Sequence, residues 1–323
     1  MTQRSGSEKN SGSARGSRRA FLARSLAAAA AAPWAAHLAL AGRASAAQAE
    51  AKPNFVFIIA DDMGWADLGC YGQDAYPTPH LDRMAAEGLR FTDAYSGCTV
   101  CAPARSTLMT GLHMGHTPVR GNSGGIPLPD GAVTVAEVLK RAGYACGGFG
   151  KWGLGDLDTP GVPEKQGFDE FFGYYDQVHA HYYYPDYLID TGKKVPLPGN
   201  KDFYKTHKGS GGMPVETGGL EHQFSQVLIL DRMKAFIRKH KDRPFFCYAP
   251  WTPPHARYEM PETDPAWQAV KDKPWNANVK GHAAFNMMVD RQVGEVLALL
   301  RELGLDEKTV VFFCSDNGAS MRN

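Results

Sequence analysis

The chain contains 323 residues, 43% of them hydrophobic, and carries a formal net charge of +1 at pH 7. It is long enough to bury a large core, and its hydrophobic content is ordinary for a soluble globular protein. Residues 1–47 hold seven basic side chains and one acidic, so residues 48–323 hold 28 basic and 33 acidic ones, a net charge of −5. This charge argues against a general nucleic-acid-binding protein.

The N-terminal region has the pattern of an export signal. The sequence Ser17-Arg18-Arg19-Ala20-Phe21-Leu22 opens an alanine-rich run that resembles a twin-arginine signal peptide, with Ala44-Ser45-Ala46 as its cleavage site. A transmembrane anchor is the alternative, but Pro33 and His37 interrupt a run that is shorter than the ~20 apolar residues a span needs. We therefore predict a signal peptide over residues 1–47, twin-arginine export to a periplasmic or secreted location, and no stable membrane span.

The six cysteines are scattered along the chain and do not form the dense framework of a small disulfide-rich domain. Cys98 and Cys101 form a CxxC pair, so a redox site or half of a zinc site must be considered. Zinc would need a second Cys/His pair at ligand spacing, and none is apparent. A thioredoxin-like site would leave Pro103 and Arg105 without an explanation. Both interpretations stay open, and neither is favoured.

The pattern of apolar residues predicts alternating strands and helices. Runs of strand length occupy residues 54–60, 89–95, 144–149, 244–249 and 309–314. Stretches with helical spacing or helix-capping residues occupy residues 78–88, 134–143, 222–240 and 282–303. Residues 156–220 are irregular, which favours a cleft-lining segment. We predict one catalytic domain over residues 48–323, an α/β/α sandwich around a large, mainly parallel mixed sheet.

One stretch departs from what local stability explains: Cys101-Ala102-Pro103-Ala104-Arg105-Ser106-Thr107-Leu108-Met109-Thr110-Gly111. Pro103 suits the first turn of a helix, and Gly111 suits the left-handed residue just past its end. Cys101 would then lie just before a helix N-terminus, where an anion is favoured. Arg105 opposes the helix dipole, so its guanidinium is better explained by an anion beside Cys101.

Polar residues follow the predicted strands at their C-terminal ends. They are Asp61, Asp62, Lys151, His255, Asp316 and Asn317. Taken singly, the two adjacent carboxylates could form a solvated turn, and the lysine could simply be solvated. Open α/β sheets bind ligands at this edge, and three carboxylates with one amide form an all-oxygen set suited to Ca²⁺ or Mg²⁺ rather than zinc.

These motifs resemble those of type I sulfatases, a family within the alkaline phosphatase superfamily. The resemblance covers Cys-x-Pro-x-Arg with its Leu-x-Thr-Gly ending and three separated strand-end motifs, between about Lys52 and Asn317. It implies that a maturing enzyme oxidises Cys101 to Cα-formylglycine, whose hydrated aldehyde attacks the sulfur of a sulfate ester. The implied ligands of one divalent ion, commonly calcium, are Asp61, Asp62, residue 101, Asp316 and Asn317.

The resemblance also assigns the remaining chemistry. Arg105 and Lys151 would neutralise charge on the sulfuryl oxygens, and His255 would protonate the leaving alcohol. The second hydroxyl of the aldehyde hydrate would then expel sulfate and regenerate the aldehyde. The expected substrates are aryl or carbohydrate sulfate esters.

Two departures from the family pattern lead to expectations. Many arylsulfatases carry a histidine two residues after this lysine, where the present chain has Gly153. We expect His179 or His181, in the irregular segment, to supply that imidazole or to contact substrate. The family's second active-site lysine and C-terminal subdomain would follow Asn323, so we expect residues 48–323 alone to be poorly soluble and to show negligible turnover.

Two other functions remain open at this stage. A phosphodiester or phosphonate monoester hydrolase of the same superfamily would share the Cys-x-Pro-x-Arg motif and the metal ligands. A non-catalytic protein that binds sulfated glycans would account for the missing second lysine and for His255 as a lone acid. Comparing the turnover of sulfate and phosphate esters separates the first from a sulfatase, and binding without turnover would indicate the second.

Overall fold

In a computed structural model, residues 52–201 and 223–320 are described. The signal peptide predicted for residues 1–47 lies outside them. The strands are β1 Asn54–Ala60, β2 Ala145–Lys151, β3 Glu170–Tyr174, β4 Tyr187–Asp190, β5 Lys193–Pro196, β6 Phe245–Pro250 and β7 Thr309–Ser315. The α-helices are α1 Pro79–Glu87, α2 Cys101–Thr110, α3 Val135–Arg141, α4 Ser225–Lys239, α5 Pro265–Val270 and α6 Ala277–Glu302.

The described strands form one sheet in the order β5-β4-β3-β2-β6-β1-β7. Strands β3, β2, β6, β1 and β7 are parallel to one another, whereas β4 and β5 are added antiparallel at one edge. The whole of β6 is buried, as expected for an apolar run covered on both faces. The predicted mainly parallel mixed sheet is confirmed.

Helices cover both faces of the sheet. On one face, α4 and α6 contribute Met233, Phe236 and Val289 to a core that also contains Val56 and Ile58 of β1. On the other face, residues of α2 and α3 pack with side chains of the opposite pleat of the sheet. The alternation of side chains along each strand produces these two cores. The predicted three-layer α/β/α sandwich is therefore confirmed.

Most helices and strands were predicted correctly from short sequence patterns, and the capping residues of α3 show why. Thr134 accepts a hydrogen bond from the backbone N–H of Glu137, and the Glu137 carboxylate accepts one from the backbone of Thr134. This capping box satisfies two N–H groups at the helix start.

No helix in the parts of the chain that the structure describes is both long enough and apolar enough to cross a membrane.

The prediction of a strand over residues 89–95 is wrong. This segment contains no strand, and Leu89 and Tyr95 are 86% and 89% exposed. A strand needs a neighbour for its backbone groups, and none of the seven described strands pairs with this segment. Conversely, β3, β4 and β5 lie within the segment predicted to be irregular. They have only four or five residues each, which is too short for a clear periodic signal.

Gly150 lets β2 and β6 lie close together beside the polar strand ends. Its φ is +139°, and a Cβ there would come within 2.1 Å of the Pro250 carbonyl oxygen. We expect Gly150→Ala to destabilise the fold by about 2–6 kcal/mol, the sum of backbone strain and overpacking. Urea denaturation followed by circular dichroism measures this loss. Gly192→Ala, at φ +77° in open space, isolates the strain, and equal losses in both variants would show that the collision is absent.

Candidate active site

The predicted site residues converge at the C-terminal edge of the central sheet. Asp61 and Asp62 directly follow β1, Asp316 and Asn317 follow β7, and Lys151 is the last residue of β2. The loop after β6 brings His255 to the same edge. Strands β2, β6, β1 and β7 are adjacent and parallel, so their C-terminal ends meet. The prediction that these groups share one site is consistent with this arrangement.

Helix α2 presents Cys101 to the strand ends. The helix begins at Cys101 itself, so the prediction that this residue precedes the helix is off by one position. Val100 is extended, and Gly111, with φ of +66°, ends the helix as predicted. The Cys101 thiol is 4% exposed, and its Sγ lies 3.1 Å from Asp61 Oδ1. The first turn of α2 therefore holds residue 101 against the carboxylates.

Two buried cations pair with the carboxylates. Arg105 donates from Nη2 to Asp316 Oδ2 at 2.9 Å and lies 3.5 Å from Asp61 Oδ2. Lys151 Nζ donates to Asp61 Oδ2 at 2.5 Å, and its backbone carbonyl accepts a bond from Arg105. All four side chains are within 1% of complete burial. Arg105 thus reaches anions beside Cys101, as its unfavourable place in the helix suggested.

The charges of this cluster are not balanced by the protein alone. Three carboxylates, Asp61, Asp62 and Asp316, face two cations, Arg105 and Lys151. Burial alone would raise the pKa of Asp61, but Lys151, His255 and Arg105 hold that pKa far below its ordinary value. Burial and the charge of Asp61 raise the pKa of Asp316 to about 7. The cluster therefore favours an additional positive charge, since without one a carboxyl group tends to keep its proton.

The donor atoms fit a hard divalent cation. Ligand atoms of Asp61, Asp62, Cys101 and His255 all lie within 4.8 Å of one another. Asn317 donates from Nδ2 to Asp62 Oδ1 at 2.6 Å, while its buried Oδ1 has no hydrogen-bond partner among the described residues. A buried amide oxygen without a donor beside carboxylates is what a cation site requires.

His255 is oriented by the backbone. Its Nδ1 lies 2.9 Å from the Ala256 carbonyl oxygen and therefore carries the donating proton. Its Nε2 lies 3.5 Å from Asp62 Oδ2 and faces the cluster. Burial lowers the pKa of His255, although the nearby charge of Asp61 opposes that change.

The Cys101 thiol is not prepared to act as a thiolate. Burial and the charge of Asp61 raise its pKa well above the ordinary value, whereas nucleophilic cysteines have lowered pKa values. All six cysteines are free, so Cys98 and Cys101 form no disulfide. Cys98 is also absent from the described cluster of possible metal ligands. The geometry thus favours neither the redox nor the zinc interpretation of the CxxC pair.

The two histidines of the irregular segment have different surroundings. His181 Nε2 lies 3.2 Å from Lys151 Nζ, and its ring stacks on His255 with centroids 4.0 Å apart. His179 instead packs against the rings of Tyr174 and Tyr187, with Nε2 3.5 Å from Asp186 Oδ1. The structure therefore brings His181 into contact with the predicted site.

Sequence reasoning missed Asn122 and Gln177. Asn122 Oδ1 accepts the backbone N–H of Ala102 at 3.0 Å and a short bond from Gln177 Nε2. Gln177 is 3% exposed, and its Oε1 has no hydrogen-bond partner among the described residues. Neither residue belongs to a sequence motif. Only the fold brings Asn122 to Ala102 and Gln177 to Asn122, so no local pattern could have identified them.

The fold and its buried ionic cluster define an α/β chain with the alkaline phosphatase-like architecture. The chain belongs to the sulfatase family, whose profile, described as Sulfatase, matches residues 53–323. It is 31% identical to N-acetylgalactosamine-6-sulfatase from Homo sapiens in an alignment of 291 positions that covers 85% of this chain and 52% of that protein. It is 35% identical to arylsulfatase A from Homo sapiens in an alignment of 285 positions that covers 82% of this chain and 52% of that protein.

A solved structure shows the same architecture. The crystal structure of Ps i-CgsB in complex with k-i-k-neocarrahexaose superposes with a TM-score of 0.67 at 26% identity, covering 84% of this chain and 59% of the other. The chain therefore spans about half the length of the curated relatives it matches and somewhat more of this structural relative.

Proposed function

We propose that this protein hydrolyses sulfate esters of aromatic or sugar alcohols, with a nucleophile made from Cys101. The observation that carries the proposal is the position of Cys101 in the first turn of α2, 3.1 Å from Asp61 and beside Arg105 and Lys151. Family membership supports sulfate ester chemistry. The relatives named N-acetylgalactosamine-6-sulfatase and arylsulfatase A support sugar and aryl sulfates as the substrate class.

The proposed nucleophile requires modification of the thiol. A buried thiol with a raised pKa is a poor nucleophile, and its conversion to Cα-formylglycine by a formylglycine-generating enzyme would replace it with an aldehyde hydrate. Residue 101 would then present a hydroxyl oxygen beside Asp61. Twin-arginine export, which carries folded proteins, would follow this maturation and deliver the enzyme to the periplasm or outside the cell.

The proposed cation is Ca²⁺, with Mg²⁺ as the second choice. Asp61, Asp62, Asp316, Asn317 and residue 101 would hold it, because together they offer oxygen donors and an excess of negative charge. When bound, a divalent cation lowers the pKa of a coordinated hydroxyl and neutralises charge on a sulfuryl oxygen. With it, the five charged side chains become one unit positive in total, which suits a monoanionic sulfate ester.

Arg105 and Lys151 are proposed to stabilise the charge that develops on the sulfuryl oxygens. Both cations are buried and held in place by carboxylates before any substrate arrives. Fixed donors in a water-poor site need no reorganisation during the reaction, so they stabilise charge more effectively than solvent does.

His255 is proposed to protonate the leaving alcohol. The Ala256 carbonyl holds the proton on Nδ1, so the acidic proton must sit on Nε2, the nitrogen that faces the cluster. Because burial lowers the pKa of this imidazole, the negative charge of a bound sulfate ester would help it to take up that proton.

The protein expressed from its full reading frame, matured at residue 101 and loaded with Ca²⁺, is expected to hydrolyse 4-nitrophenyl sulfate and sulfated N-acetylgalactosamine. Release of 4-nitrophenol or of inorganic sulfate measures the rates. 4-Nitrophenyl phosphate and a phenylphosphonate ester are the comparison substrates. Faster turnover of these phosphorus esters would favour a phosphonate or phosphodiester hydrolase, and tight binding of the sulfated sugar without turnover would favour a glycan-binding protein.

A further inference from the structure

The side-chain space beside Lys151 is filled from a distant segment. Gly153, two residues after Lys151, has φ of +73°, and a Cβ there would lie 2.8 Å from Gln177 Oε1. A larger side chain at this position would need both a left-handed backbone and the displacement of buried Gln177. The turn that carries Gln177 continues to His181, so one short segment fills this space and also reaches the lysine.

His181 restricts the Lys151 ammonium. Lys151 Nζ lies 3.2 Å from His181 Nε2 and 2.5 Å from Asp61 Oδ2. A protonated lysine has three N–H donors and no acceptor, so His181 must accept here and carry its proton on Nδ1. Two of the three donors are thereby directed at Asp61 and His181. Within residues 52–201 and 223–320 no other hydrogen bond of Nζ is found, so the third donor can point to an oxygen of a bound sulfate ester.

The same imidazole supports His255. The two rings are 4.0 Å apart and inclined by only 9°. The neighbouring residues hold these segments together, because the Tyr183 hydroxyl donates to the His255 carbonyl at 2.9 Å. The Arg257 guanidinium also lies over the Tyr182 ring, 4.3 Å from its centre. Stacking on His181 and the bond to Ala256 together define the plane of the His255 ring.

We propose that His181 is a positioning residue that holds Lys151 through a hydrogen bond and His255 through ring stacking. This inference rests on the proposed sulfatase function, because it assigns His181 a part in that reaction. It also separates His181 from His179, whose ring packs between two tyrosines in the same short turn. His181 acts through two other side chains, so its loss should change the rate of the reaction more than the binding of substrate.

The experiment compares four variants of the matured, Ca²⁺-loaded protein from the full reading frame, with aryl sulfates whose leaving phenols differ in pKa. His181→Ala is expected to lower kcat roughly 100-fold, the scale of a ~1 Å misplacement, with KM changed less than about threefold. His181→Gln keeps a hydrogen-bond acceptor for Lys151. It should therefore recover the part of the kcat loss that is the same for every leaving phenol. His181→Phe keeps a ring that can stack on His255. It should therefore recover the part of the kcat loss that increases with the pKa of the leaving phenol. His179→Ala is the matched control and should stay within about threefold of wild type.

A second measurement does not depend on turnover. Inorganic sulfate is a dianion and therefore depends more on the Lys151 cation than a monoanionic sulfate ester does. Its calorimetric binding to the Ca²⁺-loaded, unmodified protein should weaken about tenfold in His181→Ala, as expected when Lys151 is no longer held and its charge-assisted hydrogen bond to sulfate is weakened, and remain unchanged in His179→Ala. If wild type hydrolyses sulfate esters but His181→Ala changes only KM, or changes neither kcat nor sulfate affinity, the inference is wrong. A wild-type protein that binds sulfate but hydrolyses no sulfate ester would instead overturn the proposed function. Circular dichroism identifies any variant that fails to fold, and the remaining His181 variants then decide the result.

Discussion

Replacing Cys101 by alanine is expected to abolish turnover, with a loss on the order of 10⁴-fold or more, since a nucleophile acts as a unit with its neighbours. Peptide mass spectrometry of protein made alongside a formylglycine-generating enzyme should show an aldehyde at residue 101. Only this cysteine is followed by proline and arginine at the required offsets, Pro103 and Arg105.

Cys98→Ala is the matched control, because Cys98 lies three residues earlier and outside the described metal-ligand cluster. Its activity should remain within about threefold of wild type, the range expected for an exposed or half-buried substitution that touches no reacting group. Full activity with an unmodified thiol at residue 101 would exclude the proposed nucleophile. An aldehyde at residue 98 would show that the motif has been assigned to the wrong cysteine.

Removing one proposed metal ligand is expected to weaken cation binding at least about 100-fold, the upper end of what the loss of a supporting group costs. Asp62→Asn is the sharpest variant because it removes one charge without leaving a buried cation unpaired. Asp62 bonds to Asn317 and lies near His255, whereas Asp61 and Asp316 pair with Lys151 and Arg105. Asparagine also tolerates the φ of +62° at this position.

Calorimetry with Ca²⁺ measures this affinity, and activity after exhaustive chelation provides an independent check. Asp61→Asn and Asp316→Asn should also weaken binding, and circular dichroism shows whether their unpaired cations disturb the fold. Asp74→Asn makes the same chemical change at an exposed site and should leave the affinity unaltered. Turnover that survives complete removal of divalent ions would contradict the assigned site.

The sequence determined the features that depend on neighbouring residues. Pro103 and Gly111 bound helix α2 because each suits one position of a helix end, whichever tertiary contacts follow. The apolar runs of β1 and β6 were recognisable because buried parallel strands carry apolar side chains on both faces. Strand β7 has a similar apolar run although it lies at the edge of the sheet and is only partly buried. A parallel arrangement in turn places Asp61 and Asp316 at the same edge, so most of the candidate site could be predicted from the sequence.

The tertiary structure decided what depends on contacts between distant residues. Sheet order places β6 between β2 and β1, and this order brings His255 and Lys151 together around Asp61. The path of the turn after β3 brings His181 to Lys151 and puts His179 among tyrosines, although the two residues are only two positions apart. Residues 89–95 have the apolar content of a strand, but none of the seven described strands pairs with them. Pairing, stacking and burial are properties of two segments at once, so a local pattern in one of them does not specify the other.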